Sequence, residues 1–338
     1  MTDRTGNGAV EHGGGLTAAR ARYGGRESDW LDLSTGINPV AAVLPAIDPV
    51  VWRRLPDVEL FRGAGEAAAQ RYGTPSGVVP LPVAGVQNAV QMLPAVMDGP
   101  VAVLSPTYEE YRHCFGRDGR RVDPIDDLDG VGRHHRVVVV VNPNNPDGRI
   151  VAPEELLLLA DDLAARGGYL IVDEAFADTR PEISVAPHAG RAPGLIVLRS
   201  FGKFFGLAGL RLGFVIAAAP VRQTLMRLQG PWPVSGPALA VARTLLADED
   251  AVRAVGERIA ERRRALTAVL DGAGLTIAGA TDLFALIDHA RAEDVHAHLC
   301  RSHILTRRFG YAPRWLRFGL CPDAAGDARL LRALAEAM

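Results

Sequence analysis

Short runs of consecutive apolar residues recur through the first two thirds of the chain. Residues 101–104, 137–141, 169–172, 195–198 and 213–217 are such runs, rich in β-branched side chains. A strand wetted on one face alternates apolar with polar positions; a strand covered on both faces does not. The five runs are therefore expected to be strands buried in a mainly parallel sheet. Between them, residues 88–97, 153–165 and 220–229 carry apolar side chains at helical spacing. Pro153 followed by Glu154 and Glu155 is a good helix start, because proline suits the first turn and acids complement the positive end of the dipole. Gly167-Gly168 closes that helix. Alternation of this kind predicts an α/β domain of layered helices and sheet.

The pattern changes after Gly230. Pro231, Pro233 and Pro237 mark a connector, followed by helical stretches at 238–247 and 251–270. Arg262-Arg263-Arg264 in the second stretch reads as a solvated helix face. Short strands near 283–287, 304–307 and 315–319, with helices at 292–301 and 325–337, predict a smaller α+β domain. A chain of 338 residues exceeds what one hydrophobic core usually serves, which agrees with two domains.

Charge and composition narrow the function classes. With 37 basic and 39 acidic residues, the chain lacks the cationic surplus of a dedicated nucleic-acid binder. No apolar run approaches the roughly 18–20 residues that span a bilayer. Residues 1–15 show neither a basic start nor an apolar stretch of signal-peptide type, so a cytoplasmic protein is expected. Cys114, Cys300 and Cys321 are odd in number and scattered, and are expected to be buried, reduced thiols. No metal site is expected: His134-His135 sits in a polar loop, and His296 and His298, two apart, do not share a helix face. One count stands out. Lys203 is the single lysine, the other 36 basic residues being arginines. A guanidinium keeps its proton and cannot condense with an aldehyde, whereas an ε-amine can lose its proton and do so.

Four segments carry candidate chemistry. In Ser200-Phe201-Gly202-Lys203, which follows the 195–198 run, a serine precedes the lysine, and Arg211 comes eight residues later. Serine and arginine there could grip a phosphate beside the amine. Asp173 ends the 169–172 run, at the sheet edge where open α/β folds bind ligands. Opposite a pyridine nitrogen its carboxylate would keep the ring protonated; it equally suits a turn cap. Asn142-Pro143-Asn144-Asn145-Pro146-Asp147-Gly148 is a turn on its own chemistry. Gly85-Val86-Gln87-Asn88 opens a helix, and amides at a helix start bind anions.

In this order, across nearly the full length, the segments resemble the fold-type I pyridoxal-phosphate enzymes of the aspartate aminotransferase superfamily. The resemblance implies a three-layer α/β large domain at 39–230, a smaller α+β domain at 231–338, and an N-terminal segment at 1–38 that joins the small domain and the substrate pocket. It implies that Lys203 holds pyridoxal 5'-phosphate covalently and later moves protons, and that Asp173 pairs with the pyridinium nitrogen. Asn145 would hydrogen-bond the ring hydroxyl and Tyr108 stack on the ring. Gly85, the amides of Val86 and Gln87, Ser200 and Arg211 would cup the phosphate. Arg317 matches a small-domain arginine that binds a substrate anion. Two positions depart from the family pattern: Phe176 stands where a tyrosine is common, and Leu55 where a tyrosine reaches the partner subunit.

Glu11-His12-Gly13-Gly14-Gly15 and Leu33-Ser34-Thr35-Gly36-Ile37-Asn38-Pro39 further resemble the threonine-phosphate decarboxylase branch of the cobalamin pathway. That branch implies substrate contacts from His12, Gly13, Gly36, Asn145, Arg307 and Arg317, a doubly anionic amino-acid phosphate as substrate, and a homodimer. The expected reaction is decarboxylation of L-threonine O-3-phosphate to (R)-1-aminopropan-2-ol O-phosphate. The alternatives are a histidinol-phosphate aminotransferase, or a catalytically silent module of the same fold.

Overall fold

The structure, a computed structural model, describes residues 13–338. The chain opens with α1 (Leu16–Tyr23), β1 (Leu31–Asp32), α2 (Pro49–Arg53) and α3 (Val58–Tyr72). Asp57 caps α3 by accepting from the Leu60 amide at 2.9 Å. The layered region follows: β2 (Leu81–Val83), α4 (Val86–Met92), β3 (Val101–Leu104), α5 (Glu110–Gly116), β4 (Val122–Ile125), β5 (Val137–Val141), α6 (Pro153–Ala165), β6 (Tyr169–Asp173), β7 (Leu195–Ser200), α7 (Phe201–Phe204), β8 (Gly213–Ala217) and α8 (Ala219–Gln229). The last part holds α9 (Gly236–Ala247), α10 (Glu249–Gly272), β9 (Ile277–Thr281), β10 (Phe284–Asp288), α11 (Ala292–Arg301), β11 (Ile304–Leu305), β12 (Arg307–Arg308), β13 (Trp315–Gly319) and α12 (Ala324–Ala337).

Seven strands form the main sheet in the order β2-β8-β7-β6-β5-β3-β4. β5 is wholly buried, and β6 and β7 are buried but for Tyr169 and Ser200 at their ends, which is why these sequences carry unbroken apolar runs. Along β5, Val138 and Val140 enter one core while Val137, Val139 and Val141 enter the other. Successive side chains of a strand must face opposite ways, so each valine of the run serves one layer. β8 is the exception to parallel pairing: it runs antiparallel to both β7 and β2. That reversal positions the site. Gly213, at the start of β8, pairs with Ser200 at the end of β7 and with Val83 at the end of β2. The ends of β2, β5, β6 and β7 and the start of β8 thus meet at one edge.

A four-stranded antiparallel sheet, β12-β13-β10-β9, forms the smaller unit, and β1 pairs parallel with β11 there. The early segment therefore crosses to the later part of the chain.

Several sequence expectations are corrected. The helix expected at 88–97 begins at Val86 and ends at Met92, where Pro94 converts the next turn to a 3-10 turn. The strand expected at 304–307 breaks at Thr306 into β11 and β12, which belong to different sheets. Arg262 is not on a solvated face. It is 8% exposed, donates to the Cys321 carbonyl at 3.1 Å, and pairs with Asp327 on α12. Charge runs predict solvation only where no acid and carbonyl wait on the packed side. The three cysteines are free and buried. No helix among the described residues is long and apolar enough to cross a membrane.

Candidate active site

Two adjoining cavities, of about 240 and 270 Å³, open at the edge where the strand ends converge. Ile37, Tyr108, Asn145, Phe176 and Lys203 line both. Every sequence-predicted site residue within the described region is found here. Gly85, Val86, Gln87, Asp173, Ser200 and Arg211 line the first cavity. Gly13, Gly36, Arg307 and Arg317 line the second. His12 lies outside the described residues.

Lys203 sits on α7, the single turn that follows β7. Its amine has no hydrogen bond or ion pair among the described residues and lies 5.4 Å from the centre of the Phe176 ring. Burial, then the nearby Arg317 cation, pushes the amine down from its usual 10.5 to about 8, with Asp173 opposing. Asp173 ends β6 and is 4% exposed. One oxygen accepts from the Tyr111 hydroxyl at 2.7 Å, the other from the Ala175 amide at 3.0 Å. Burial raises this carboxyl above its ordinary range, while the Tyr111 hydrogen bond works against that rise.

Gly85 turns the chain from β2 into α4 with φ of 79°, a left-handed value that side chains rarely adopt, and a Cβ there would lie 3.0 Å from the Arg211 guanidinium. The turn thus sets that guanidinium beside Gly85, and Val86 and Gln87, the first residues of α4, line the same cavity; the first amides of a helix lack partners within it and suit an anion. Tyr108 is anchored edgewise: its hydroxyl donates to Gln87 Oε1 at 2.9 Å, and Gln87 donates to Glu110 at 2.6 Å.

In the second cavity Arg317 donates to Asn145 Oδ1 and, at 2.9 Å, to the Ser34 carbonyl. Its guanidinium lies 4.8 Å from the Phe284 ring centre. Burial, reinforced by Arg307, lowers it to about 9. Gly36 makes room at the floor, where a Cβ would meet the Phe176 ring at 2.8 Å. The Gly14 amide donates to Ser34 Oγ at 2.7 Å, which ties the first described residues to this wall.

The residues fit a phosphorylated pyridine aldehyde. An amine with no partner among the described residues, a buried strand-end acid, a guanidinium and the first residues of a helix line one cavity, and this set matches aldehyde, ring nitrogen and phosphate. Sequence reasoning missed Tyr111, Phe309, Tyr311 and Ser34. Only Tyr111 left a signal, since three residues after Tyr108 places it on the same side of the α5 entry. Elsewhere, Asp123, His134 and His135 bring ligand-capable atoms within 4.8 Å of one another. His135 Nδ1 accepts from the Gly132 amide, so its Nε2 carries hydrogen toward Asp123, and Arg121 pairs with the same carboxylate. These contacts make a hydrogen-bonded cluster about the Asp123 carboxylate, with Arg121 as its ion-pair partner.

Comparison with known proteins bears on the family and the fold. Residues 28–338 match the sequence model of the family described as Aminotransferase class I and II. A threonine-phosphate decarboxylase of Sinorhizobium sp. is 53% identical over 97% of this chain and 98% of its own length. One from Pseudomonas aeruginosa is 45% identical over 96% of this chain and 97% of its own. Among solved structures, the histidinol-phosphate aminotransferase of Sinorhizobium meliloti in complex with pyridoxal-5'-phosphate shares the fold, with a TM-score of 0.81, 23% identity, and coverage of 100% of this chain and 98% of that one. With a fold that agrees and a sequence match that spans both units, the chain belongs to the class I and II aminotransferase family.

Proposed function

We propose that this protein is a pyridoxal-phosphate-dependent decarboxylase of L-threonine O-3-phosphate, forming CO2 and (R)-1-aminopropan-2-ol O-phosphate for cobalamin assembly. The observation that carries the reading is the convergence of the Lys203 amine, one buried acid and three arginines, Arg211, Arg307 and Arg317, on adjoining cavities. Relatives of that name at 53% and 45% identity support it.

Bound here, pyridoxal phosphate supplies a protonated ring that accepts the electron pair of a bond broken at Cα. Asp173 holds the proton on the ring nitrogen. Asn145, its oxygen engaged by Arg317, is left with its amide nitrogen for the ring hydroxyl. Ser200, Arg211 and the Val86 and Gln87 amides take the phosphate, Gly85 gives them room, and Tyr108 covers a ring face. Phe176 brings no hydroxyl, so Asn145 answers the ring hydroxyl without a tyrosine beside it.

Arg307 and Arg317, with His12, Gly13 and Gly36, take the substrate's phosphate and carboxylate. Which bond breaks depends on which group stands upright from the ring. With the phosphate held by arginine, the carboxylate is turned upright, the Cα–carboxylate bond breaks, and its electron pair stays toward Cα. Lys203 holds the cofactor between turnovers; once released by substrate, its ammonium gives one proton to Cα. Depression of Lys203 toward pH 8 suits an amine that must both attack and donate near neutrality.

The chain acts as a homodimer in this reading. Val43, Leu44, Trp52, Leu55 and Val58 are exposed within one short segment, more apolar surface than isolated side chains explain. The test is incubation of holoenzyme with O-phospho-L-threonine. CO2 release without any 2-oxo acid is expected; keto-acid formation dependent on 2-oxoglutarate would identify an aminotransferase instead.

A further inference from the structure

Arg307 on β12 and Arg317 on β13 are direct cross-strand partners, so both side chains leave the same face of the sheet. Like charges so placed repel, and here neither side chain turns away: both line the 270 Å³ cavity. Asn145, the Ser34 carbonyl and the Phe284 ring hold Arg317, and Phe309 is the side chain that faces both guanidinium groups. Its ring centre lies 5.3 Å from the Arg307 guanidinium carbon and 6.0 Å from that of Arg317, both within cation–π range. The ring is 7% exposed and packs edgewise against Trp315 at 6.4 Å and, tilted by 50°, against Tyr311 at 5.6 Å, which fixes its plane. Arg317, 5% exposed, also keeps one buried N–H, at Nε, with no hydrogen-bond partner among the described residues. A buried donor left open in a cavity calls for an acceptor.

We propose that Phe309 is a positioning residue that holds Arg307 and Arg317, against their mutual repulsion, as a paired receptor for a doubly anionic substrate. The phosphate and carboxylate assigned to that receptor rest on the decarboxylase reading above; the pairing itself rests on the geometry. A dianion removes the repulsion when it binds, so the ring matters most to binding and little to bond breaking.

The test uses holoenzyme, whose cofactor already fills the phosphate cup, with Phe309→Leu and Phe309→Tyr. Phe309→Leu is expected to raise KM for O-phospho-L-threonine about tenfold while kcat stays within about twofold. Inorganic phosphate, followed by calorimetry, is expected to bind about tenfold more weakly to the same variant. Phe309→Tyr, which keeps the ring face, restores both. If Phe309→Leu fails to fold, Phe309→Met carries the same expectation. Unchanged KM and phosphate affinity, or a loss confined to kcat, overturns the proposal. Absence of turnover in the parent enzyme with weakened phosphate binding in Phe309→Leu would remove the decarboxylase reading and leave the positioning role standing.

Discussion

The Lys203 amine answers to burial and to three charged neighbours. Burial and the Arg317 and Arg211 cations favour its neutral form, while Asp173 favours the charged one, and the balance falls near pH 8 against a usual 10.5. The native value lies below the unfolded one, so between these two pH values the folded chain binds fewer protons than the unfolded chain. The destabilisation from this group is complete below about pH 8 and is lifted as pH rises toward 10.5. Only the neutral amine captures an aldehyde. Loading of apoenzyme with pyridoxal phosphate, followed by visible absorbance, should therefore quicken with pH and level off above about 8. Arg317→Leu removes a repelling cation and should move that midpoint upward. A midpoint shared by parent and variant would show that Arg317 does not act on the amine.

Among the elements, the ends of β6 and β7 carry the chemistry, and a buried ion cluster joins them one residue away. Arg199, next to Ser200, lies 2.7 Å from Glu174, next to Asp173, and 3.1 Å from Asp178. Glu174 also accepts from Ser184 at 2.5 Å and from the Val185 amide at 2.7 Å. Removing one partner of a buried set leaves charge without compensation, which typically costs about 3–5 kcal/mol. Arg199→Met should lower unfolding stability by roughly that amount in urea titration. Replacing Arg199, Glu174 and Asp178 together by apolar side chains should recover most of the loss; a single variant within about 1 kcal/mol of the parent would contradict the arrangement. Elements of this kind differ in how far sequence reveals them. The runs of β3, β5, β6, β7 and β8 were readable because complete burial leaves only apolar residues. β2 and β4 were not, since each is short and interrupted by a proline, Pro82 or Pro124, at a sheet edge. Arg262 was misread for a different reason: its partners, Cys321 and Asp327, lie some sixty residues away and are brought near only by packing.

At the scale of the whole molecule, residues spread from Gly13 to Arg317 meet at one sheet edge because the early segment pairs β1 with β11 and β8 reverses direction. The site's reactive groups were readable because amine, acid and guanidinium are chemically distinctive wherever they stand. Tyr311 and Phe309 were not, since an aromatic residue shows its use only once its neighbours are known. The exposed segment around Trp52 and Val58 belongs to this scale too. A homodimer should sediment at twice the 36.0 kDa of the chain, and charged substitutions at Val43 and Trp52 should return it to that mass; a parent that sediments as a single chain would refute the dimer. The most direct measurement of the central claim is the phosphothreonine reaction run in D2O. The expected product carries one deuterium on the carbon that lost CO2, and Lys203→Arg forms none of it. A 2-oxo acid in place of CO2, or undiminished product from Lys203→Arg, would contradict the assignment of that lysine and the reaction built on it.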